Sequence, residues 1–187
     1  MKILLVDTTT KDLVVMVVDG EKIIDKTVKD AGTHHSELLC DMVATAMSEA
    51  KVEFDQLDAY ACAIGPGSFT GIRIGIATMK GYQAACPKKL ISLNCLQAIA
   101  TSKNLGAKGK AVIDAGNGYY FADYTAEVAP CLVGYDDECV QGAAKASVAT
   151  EYADGLVELA KKTWERGEFA SSLSPLYIRK SQAEEKR

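Results

Sequence analysis

The sequence predicts an α/β protein of two lobes, and three observations predict it. Lys2 to Val6 is an unbroken apolar run that stops at Asp7, and two further β-rich runs follow it across short turns. Leu57 to Ala85 then reads as a strand, a tight glycine loop and a helix. Lys110 to Thr125 repeats the opening in outline, because Lys110-Ala111-Val112-Ile113 is again an apolar run stopped by an aspartate, Asp114.

Each element follows from its residues. A continuous apolar run such as Lys2–Val6 suits a strand buried on both faces. Leu13 to Val18 is a second strand, closed by the hairpin pair Asp19-Gly20, and Glu21 to Val28 is a third. Strands joined by turns this short are antiparallel neighbours. Asp30-Ala31-Gly32-Thr33 breaks the pattern, and Leu38, Leu39, Met42, Val43, Ala46 and Met47 then keep helical spacing. Thr33 or Ser36 is the expected N-cap, with Glu37 in the first turn. Leu57 to Ile64 is the fourth strand and Lys89 to Leu93 the fifth, and a helix opens at Asn94 with Gln97 placed for a capping box. Strand–helix–strand order here requires parallel pairing.

In the second half, Gly116-Asn117-Gly118 is a turn and Tyr119 to Thr125 its return strand. Cys131 to Val133 reads as a short strand and Ala143 to Ala149 as a short helical piece. Tyr152, Leu156, Leu159, Ala160 and Thr163 form a helix stripe ended by Arg166-Gly167. Leu176 to Ile178 is a short apolar segment, and Ser181 to Arg187 reads as a solvated terminus. The expected lobes are 1–105 and a smaller 106–187.

The stretch Gly65-Pro66-Gly67-Ser68-Phe69-Thr70-Gly71 organises the first lobe. Proline fixes φ near −65° and Gly67 is free to take φ > 0, so a sharp turn is expected. Ser68 or Thr70 then caps the following helix. Such a loop suits an anion, since backbone N–H groups and a helix N-terminus converge there. Its candidate ligands are Asp7, Thr8, Thr9, Gly65, Gly67, Ser68, Thr70 and Arg73. The alternative is a turn that only lets the helix approach the sheet. Neither of the familiar phosphate-loop patterns is matched. Along the helix, Gly71, Gly75, Thr78, Gly81 and Ala85 share roughly one face and leave it bare. That strip faces either the chain's own sheet or a partner, and the partner is favoured because Ile72, Ile76 and Met79 supply a separate apolar row.

Composition narrows the function classes. Of 187 residues, 48% are hydrophobic and 25% charged, the make-up of an ordinary globular protein. A chain that gripped RNA over its whole surface would be basic, whereas the net charge here is −4. The six cysteines form no Cys-x-x-Cys pair. His34 and His35 are adjacent and cannot chelate from one helix face, so no metal is expected. No apolar run is long enough to span a membrane, and the opening apolar run is too short for a signal peptide. A reduced, cytoplasmic protein is expected.

Two hairpins whose first strands stop at aspartate, Asp7 and Asp114, resemble the internal duplication of the actin/hexokinase/Hsp70 class, built of two ribonuclease-H-like lobes. That resemblance implies hairpins that hold ATP phosphates and aspartates that help place magnesium. A closer resemblance lies in Val6-Asp7-Thr8-Thr9-Thr10, His35-Ser36-Glu37-Leu38-Leu39, the Gly65–Gly75 stretch and Pro175-Leu176-Tyr177-Ile178-Arg179. These look like the signatures of the TsaB (YeaZ) family, closely over residues 1 to about 105.

The resemblance implies a non-catalytic platform for making N6-threonylcarbamoyladenosine beside the anticodon of tRNA. Its implied partners are a TsaD-like catalytic subunit and a TsaE-like ATPase, with a homodimer when isolated and tRNA reached through the complex. It implies no tightly bound cofactor, leaving ATP or ADP at a subunit interface as an open question. It places the subunit contact on the first-lobe helices, at Gly71, Gly75, Thr78, Gly81 and Ala85 and at His35, Leu38, Leu39 and Met42. The sequence departs from the family in having Asp114-Ala115-Gly116-Asn117 where Asp-Ala-Arg-Arg is usual, and in its shorter second lobe. Two alternatives are an ATP-dependent small-molecule kinase of the same fold class and, weaker, a glycoprotease-like metallopeptidase.

Overall fold

Two sheets, each led by a hairpin, share one hydrophobic core, and the first sheet carries a second core on its other face. A computed structural model describes residues 1–178 except 29, 104, 107 and 108. The first sheet holds β1 (Lys2–Asp7), β2 (Leu13–Asp19), β3 (Lys22–Val28), β4 (Ala59–Gly65) and β5 (Lys89–Asn94), in the order β3-β2-β1-β4-β5. β1, β2 and β3 pair antiparallel, with Leu5 opposite Met16 and Val15 opposite Lys26, while β4 runs parallel to both β1 and β5. The pairing agrees with the short turns and the crossover helix read from the sequence.

The central strands are apolar throughout because both faces are covered. Leu4, Val6, Tyr60 and Cys62 face α1 (His35–Ala50) and α2 (Phe69–Ala85), which contribute Leu39, Val43, Ile72, Ile76 and Met79. Ile3, Leu5, Ile91 and Leu93 face the other way, toward α3 (Cys95–Thr101) and α4 (Ala153–Arg166). The second sheet holds β6 (Lys110–Asp114), β7 (Tyr119–Asp123), β8 (Val128–Val133) and β9 (Ala144–Ala146), in the order β8-β7-β6-β9. Ala111, Ile113, Tyr120 and Ala122 point from it into that same core. The helices α3 and α4 cross so closely that a Cβ on Gly155 would stand 2.0 Å from the Ala98 carbonyl oxygen. Beside the crossing, Ser102 Oγ donates to Asp154 at 2.6 Å.

Several boundaries differ from the sequence expectation. The helical piece expected over Ala143–Ala149 is instead the strand β9, parallel to β6, followed by a 3-10 turn at Ala149–Tyr152. Alanine favours helix, but Ala144 and Ala146 alternate inward onto the sheet, and tertiary packing overrides propensity. The return strand stops at Asp123 because its carboxylate accepts from Thr125 N, Thr125 Oγ1 and Ala126 N and turns the chain there. β8 is twice the expected length. The cap of α1 is His34, not Thr33 or Ser36, and no side chain caps it. Asn94 does cap α3, accepting from Leu96 N and Gln97 N.

After α4 the chain returns to the first sheet. Ala170 bridges to Leu90, Leu173 is fully buried and Leu176 N donates to Ile64 O at 2.8 Å. The terminus expected over Ser181–Arg187 lies outside the described residues. Among the described residues no helix is long and apolar enough to cross a membrane.

Candidate functional site

The Asp7–Asp12 turn at the C-terminal end of β1 is where the expected anion site stands. Asp7 is 0% exposed. Its Oδ1 accepts from Thr9 N and Thr9 Oγ1, both at 2.7 Å, and its Oδ2 from Tyr152 Oη at 3.0 Å. Burial pushes its carboxyl above the ordinary carboxylate range, only partly offset by the bonds from Thr9 and Tyr152 and by the charge of His35. Tyr152 ends the 3-10 turn Ala149–Tyr152, and its neighbours dock beside it. Ala149 N donates to Thr10 Oγ1 at 2.9 Å, and Thr150 Oγ1 donates to Asp12 Oδ2 at 2.6 Å. The 3-10 turn before α4 therefore sits directly on the turn after β1. Around the carboxylate, burial pushes the Cys95 thiol up to about 12 and the Cys62 thiol higher still, so neither is a thiolate nucleophile near neutral pH.

The glycine loop closes the other side of this turn. The positive φ falls on Gly65, at 110°, and not on Gly67 as expected. The Gly65–Pro66 peptide is cis. Gly67 is required for a different reason: a Cβ there would lie 2.4 Å from the Thr9 carbonyl oxygen, to which Ser68 N donates at 2.6 Å. Ser68 caps α2 as expected, accepting from Gly71 N at 3.2 Å. The helix begins at Phe69, directly after this cap. Thr70 is exposed on its first turn.

The bare strip on α2 divides into two. A Cβ on Gly71 would stand 1.9 Å from Thr8 O, and one on Gly75 would stand 2.5 Å from Thr8 Oγ1, which itself donates to Gly71 O at 2.7 Å. These two glycines are filled by the chain's own turn, which corrects the expectation that the strip faces a partner along its whole length. Thr78 is half-buried, while Gly81 and Ala85 are exposed and a Cβ on Gly81 meets nothing. The same division holds on α1. His35 and Leu39 are buried at 4% and 1% exposure, with His35 Nδ1 hydrogen-bonded to Gly32 O at 2.8 Å. Leu38 and Met42 are half-buried at the surface. His34 pairs with Glu37 and stands apart from His35. Among the described residues no three His, Cys, Asp or Glu side chains converge as a metal site.

Arg73 lies exposed beside the loop and is held by aromatic rings. Its guanidinium stacks on Phe69 at 3.8 Å, its Nε donates to Tyr177 Oη at 2.9 Å, and the two rings stack at 4.6 Å. The turn after β6 makes a similar backbone bond to its aspartate but differs in burial. Asp114 is exposed, accepting from Gly116 N at 2.7 Å and Tyr135 Oη at 3.0 Å. Sequence reading missed Tyr152, Thr10, Asp12 and Thr150, the residues that join the lobes. The signal available was the polar run Thr8-Thr9-Thr10 at the end of a fully buried strand, because buried hydroxyls require partners.

The chain is similar to known proteins in sequence and in fold. The family model described as "TsaD: tRNA N6-adenosine threonylcarbamoyltransferase" matches residues 27–129, more than half of the chain. A protein of Novosphingobium aromaticivorans described as tRNA N6-adenosine threonylcarbamoyltransferase is 37% identical over 75 residues, 40% of this chain. One of the same description from Afipia carboxidovorans is 40% identical over 75 residues. The matched stretch spans 21% of the length of each of those relatives. Among solved structures, YeaZ from Pseudomonas aeruginosa superposes with a TM-score of 0.76 at 22% identity, covering 94% of this chain and all of that one. A second structure, described as similar to peptidase YeaZ from Pseudomonas aeruginosa, gives 0.74 at 23% identity over 95% of this chain. The fold is thus the actin/hexokinase/Hsp70-like α/β fold that the paired hairpins suggested.

Proposed function

We propose that this chain, which belongs to the family of tRNA N6-adenosine threonylcarbamoyltransferases (TsaD), is a TsaB (YeaZ)-like member that serves as a non-catalytic platform. It works in making N6-threonylcarbamoyladenosine in tRNA, pairing with a TsaD-like catalytic subunit and a TsaE-like ATPase. The observation that carries this reading is the docking of the second lobe on the Asp7–Asp12 turn. A phosphate-handling site of this fold needs an open cleft there and an ionised aspartate to help place a cation. Here Tyr152, Ala149 and Thr150 occupy the turn, and the Asp7 carboxyl is buried and pushed toward its neutral form. The same observation counts against the small-molecule kinase.

The partner surface in this reading is the outer part of the first-lobe helices, where Leu38, Met42, Thr78, Gly81 and Ala85 stay accessible. Isolated, the chain pairs with itself through the same surface, and any ATP or ADP sits at a joint between subunits. tRNA is reached through the assembled complex, which suits a chain of net charge −4. A cytoplasmic location fits the cysteines, which are all free.

The test uses the purified chain with the TsaD-like and TsaE-like proteins of its own organism. ATP hydrolysis and tRNA modification are expected only when the three are combined. Turnover by this chain alone, by either measure, would sink the platform reading.

A further inference from the structure

Resting on the platform reading, a further residue acquires a role. Arg73 is exposed, and among the described residues no carboxylate lies within ion-pair distance of it. Its stack on Phe69 and the bond from Nε to Tyr177 Oη fix the plane of the guanidinium. Only Nε is spent in this way, and among the described residues the outer N–H groups of the fork have no hydrogen-bond partner. A guanidinium held like this has lost its rotamer freedom before any partner arrives.

Tyr177 is delivered from a distance. The returning C-terminal segment is anchored by the Ala170–Leu90 bridge, by buried Leu173 and by the Leu176 N bond to Ile64 O. The helix it serves carries one sign of charge. Helix α2 contains Arg73 and Lys80 and no aspartate or glutamate, and Arg73, Ala77, Lys80 and Ala84 are all exposed at spacings of one helix face. Small side chains between two cations fit a closely packed, acidic protein surface. A single fixed arginine on a chain of net negative charge does not fit a nucleic-acid backbone, which takes several cations to hold.

We propose that Arg73 is a preorganised docking point for a carboxylate of the protein subunit packed on α2, and that Tyr177 is the residue that positions it. The experiment measures the dissociation constant of the full chain with the TsaD-like subunit of its own organism, at low and high salt. Arg73→Ala is expected to weaken binding about tenfold at low salt and to flatten the salt dependence. Arg73→Lys recovers only part, because it keeps the charge and loses the fork. Tyr177→Phe removes one hydroxyl and is expected to cost a few-fold without lowering the melting temperature.

Gly81→Leu separates the two proposals, since it obstructs docking on α2 without touching Arg73. If Gly81→Leu abolishes binding while Arg73→Ala binds like the wild type, the role of Arg73 is overturned and the platform reading stands. If the wild-type chain does not bind the subunit at all, the platform reading falls and the carboxylate partner with it. If Arg73→Ala spares subunit binding but weakens retention of tRNA by the assembled complex, the anion is a phosphate and the proposal is wrong.

Discussion

The turns after β1 and β6 begin alike and end in opposite conditions. Each comes after an apolar strand that stops at an aspartate, and each opens a β-hairpin. Asp7 is sealed by Thr9 and by Tyr152 from the other lobe, and α2 presses Gly71 and Gly75 onto Thr8 beside it. Asp114 faces solvent and accepts from Gly116 N of its own turn and from Tyr135 Oη. The two aspartates differ in their C-terminal neighbours. After Asp7, Thr9 donates back to the carboxylate through its N and Oγ1, while Thr8 and Thr10 turn their hydroxyls to Gly71 O and Asp12 O. After Asp114, the backbone N of Gly116 donates to the carboxylate, and Gly116, at φ 82°, has open space around it. A shared strand–aspartate pattern therefore marks shared topology, and the residues after it decide whether the turn is a joint or a surface.

The largest test of that contrast is removal of the buried carboxylate. Asp7→Ala strands Thr9 N, Thr9 Oγ1 and Tyr152 Oη without their acceptor in a water-excluded place. Each stranded donor costs about 1–3 kcal/mol, so a loss of roughly 3 kcal/mol or more is expected by urea denaturation. Asp7→Asn keeps an acceptor at Oδ1 and is expected to recover most of it. Equal, small losses in both variants would mean that the turn is not the joint between the lobes.

The next effect concerns the helix that presses on the turn. Gly71→Ala places a methyl group 1.9 Å from a backbone oxygen, which the chain relieves only by moving α2 or the turn. Overpacking of this kind costs about 1–3 kcal/mol. Gly81→Ala, ten residues along the same helix, meets nothing and is expected to gain up to ~1 kcal/mol from helix propensity. Melting temperatures moving in the same direction for both would remove the division of the glycine strip.

Much of this was legible beforehand, for definite reasons. The strands of the first sheet read easily because both faces are buried, so Lys2–Val6 and Leu13–Val18 carry unbroken apolar runs. The helix cap at Ser68 could be inferred from its hydroxyl beside a glycine turn. Gly71 and Gly81 could not be told apart, because spacing places both on one face and says nothing of where Thr8 ends up. Tyr152 read as one position of a helix stripe, since a ring fits a core whether or not its hydroxyl reaches an aspartate across the lobes. β9 was hidden because three residues are too few to show a period.

Acid titration sharpens the comparison through two carboxylates of opposite behaviour. Burial raises Asp7 above its ordinary value of 3.8, so the folded state holds that proton more tightly than the unfolded one. Its contribution to stability is complete below about 3.8 and is lost as pH rises through the raised folded value. Asp123 in the second lobe runs the other way. The Thr125 hydroxyl bond, with backbone bonds from Thr125 and Ala126, holds it below the ordinary value. Its contribution is present above 3.8 and is lost as pH falls through the lowered folded value. Relative to wild type, Asp7→Asn should therefore gain stability on going from acid to neutral pH, and Asp123→Asn should lose it. The pH dependence of urea midpoints reads both, and parallel curves for the two variants would contradict the assignment.

The smallest expected effect is at Asp114, and it tests the exposed half of the contrast. Its carboxylate accepts one backbone and one tyrosine hydrogen bond, but water reaches it and can replace both. Asp114→Ala should cost no more than about 0.5–1 kcal/mol, the range of a solvated hydrogen bond. The loss should be local, because the β6–β7 register from Lys110–Asp123 to Asp114–Tyr119 is held by backbone pairing and by Ile113 and Tyr120 in the core. Hydrogen exchange distinguishes local from global loss. Faster exchange confined to Ala115–Gly118 would fit a surface turn, while faster exchange that spread to Tyr152 and the Thr9 amide would show that the second hairpin also bears on the joint between the lobes.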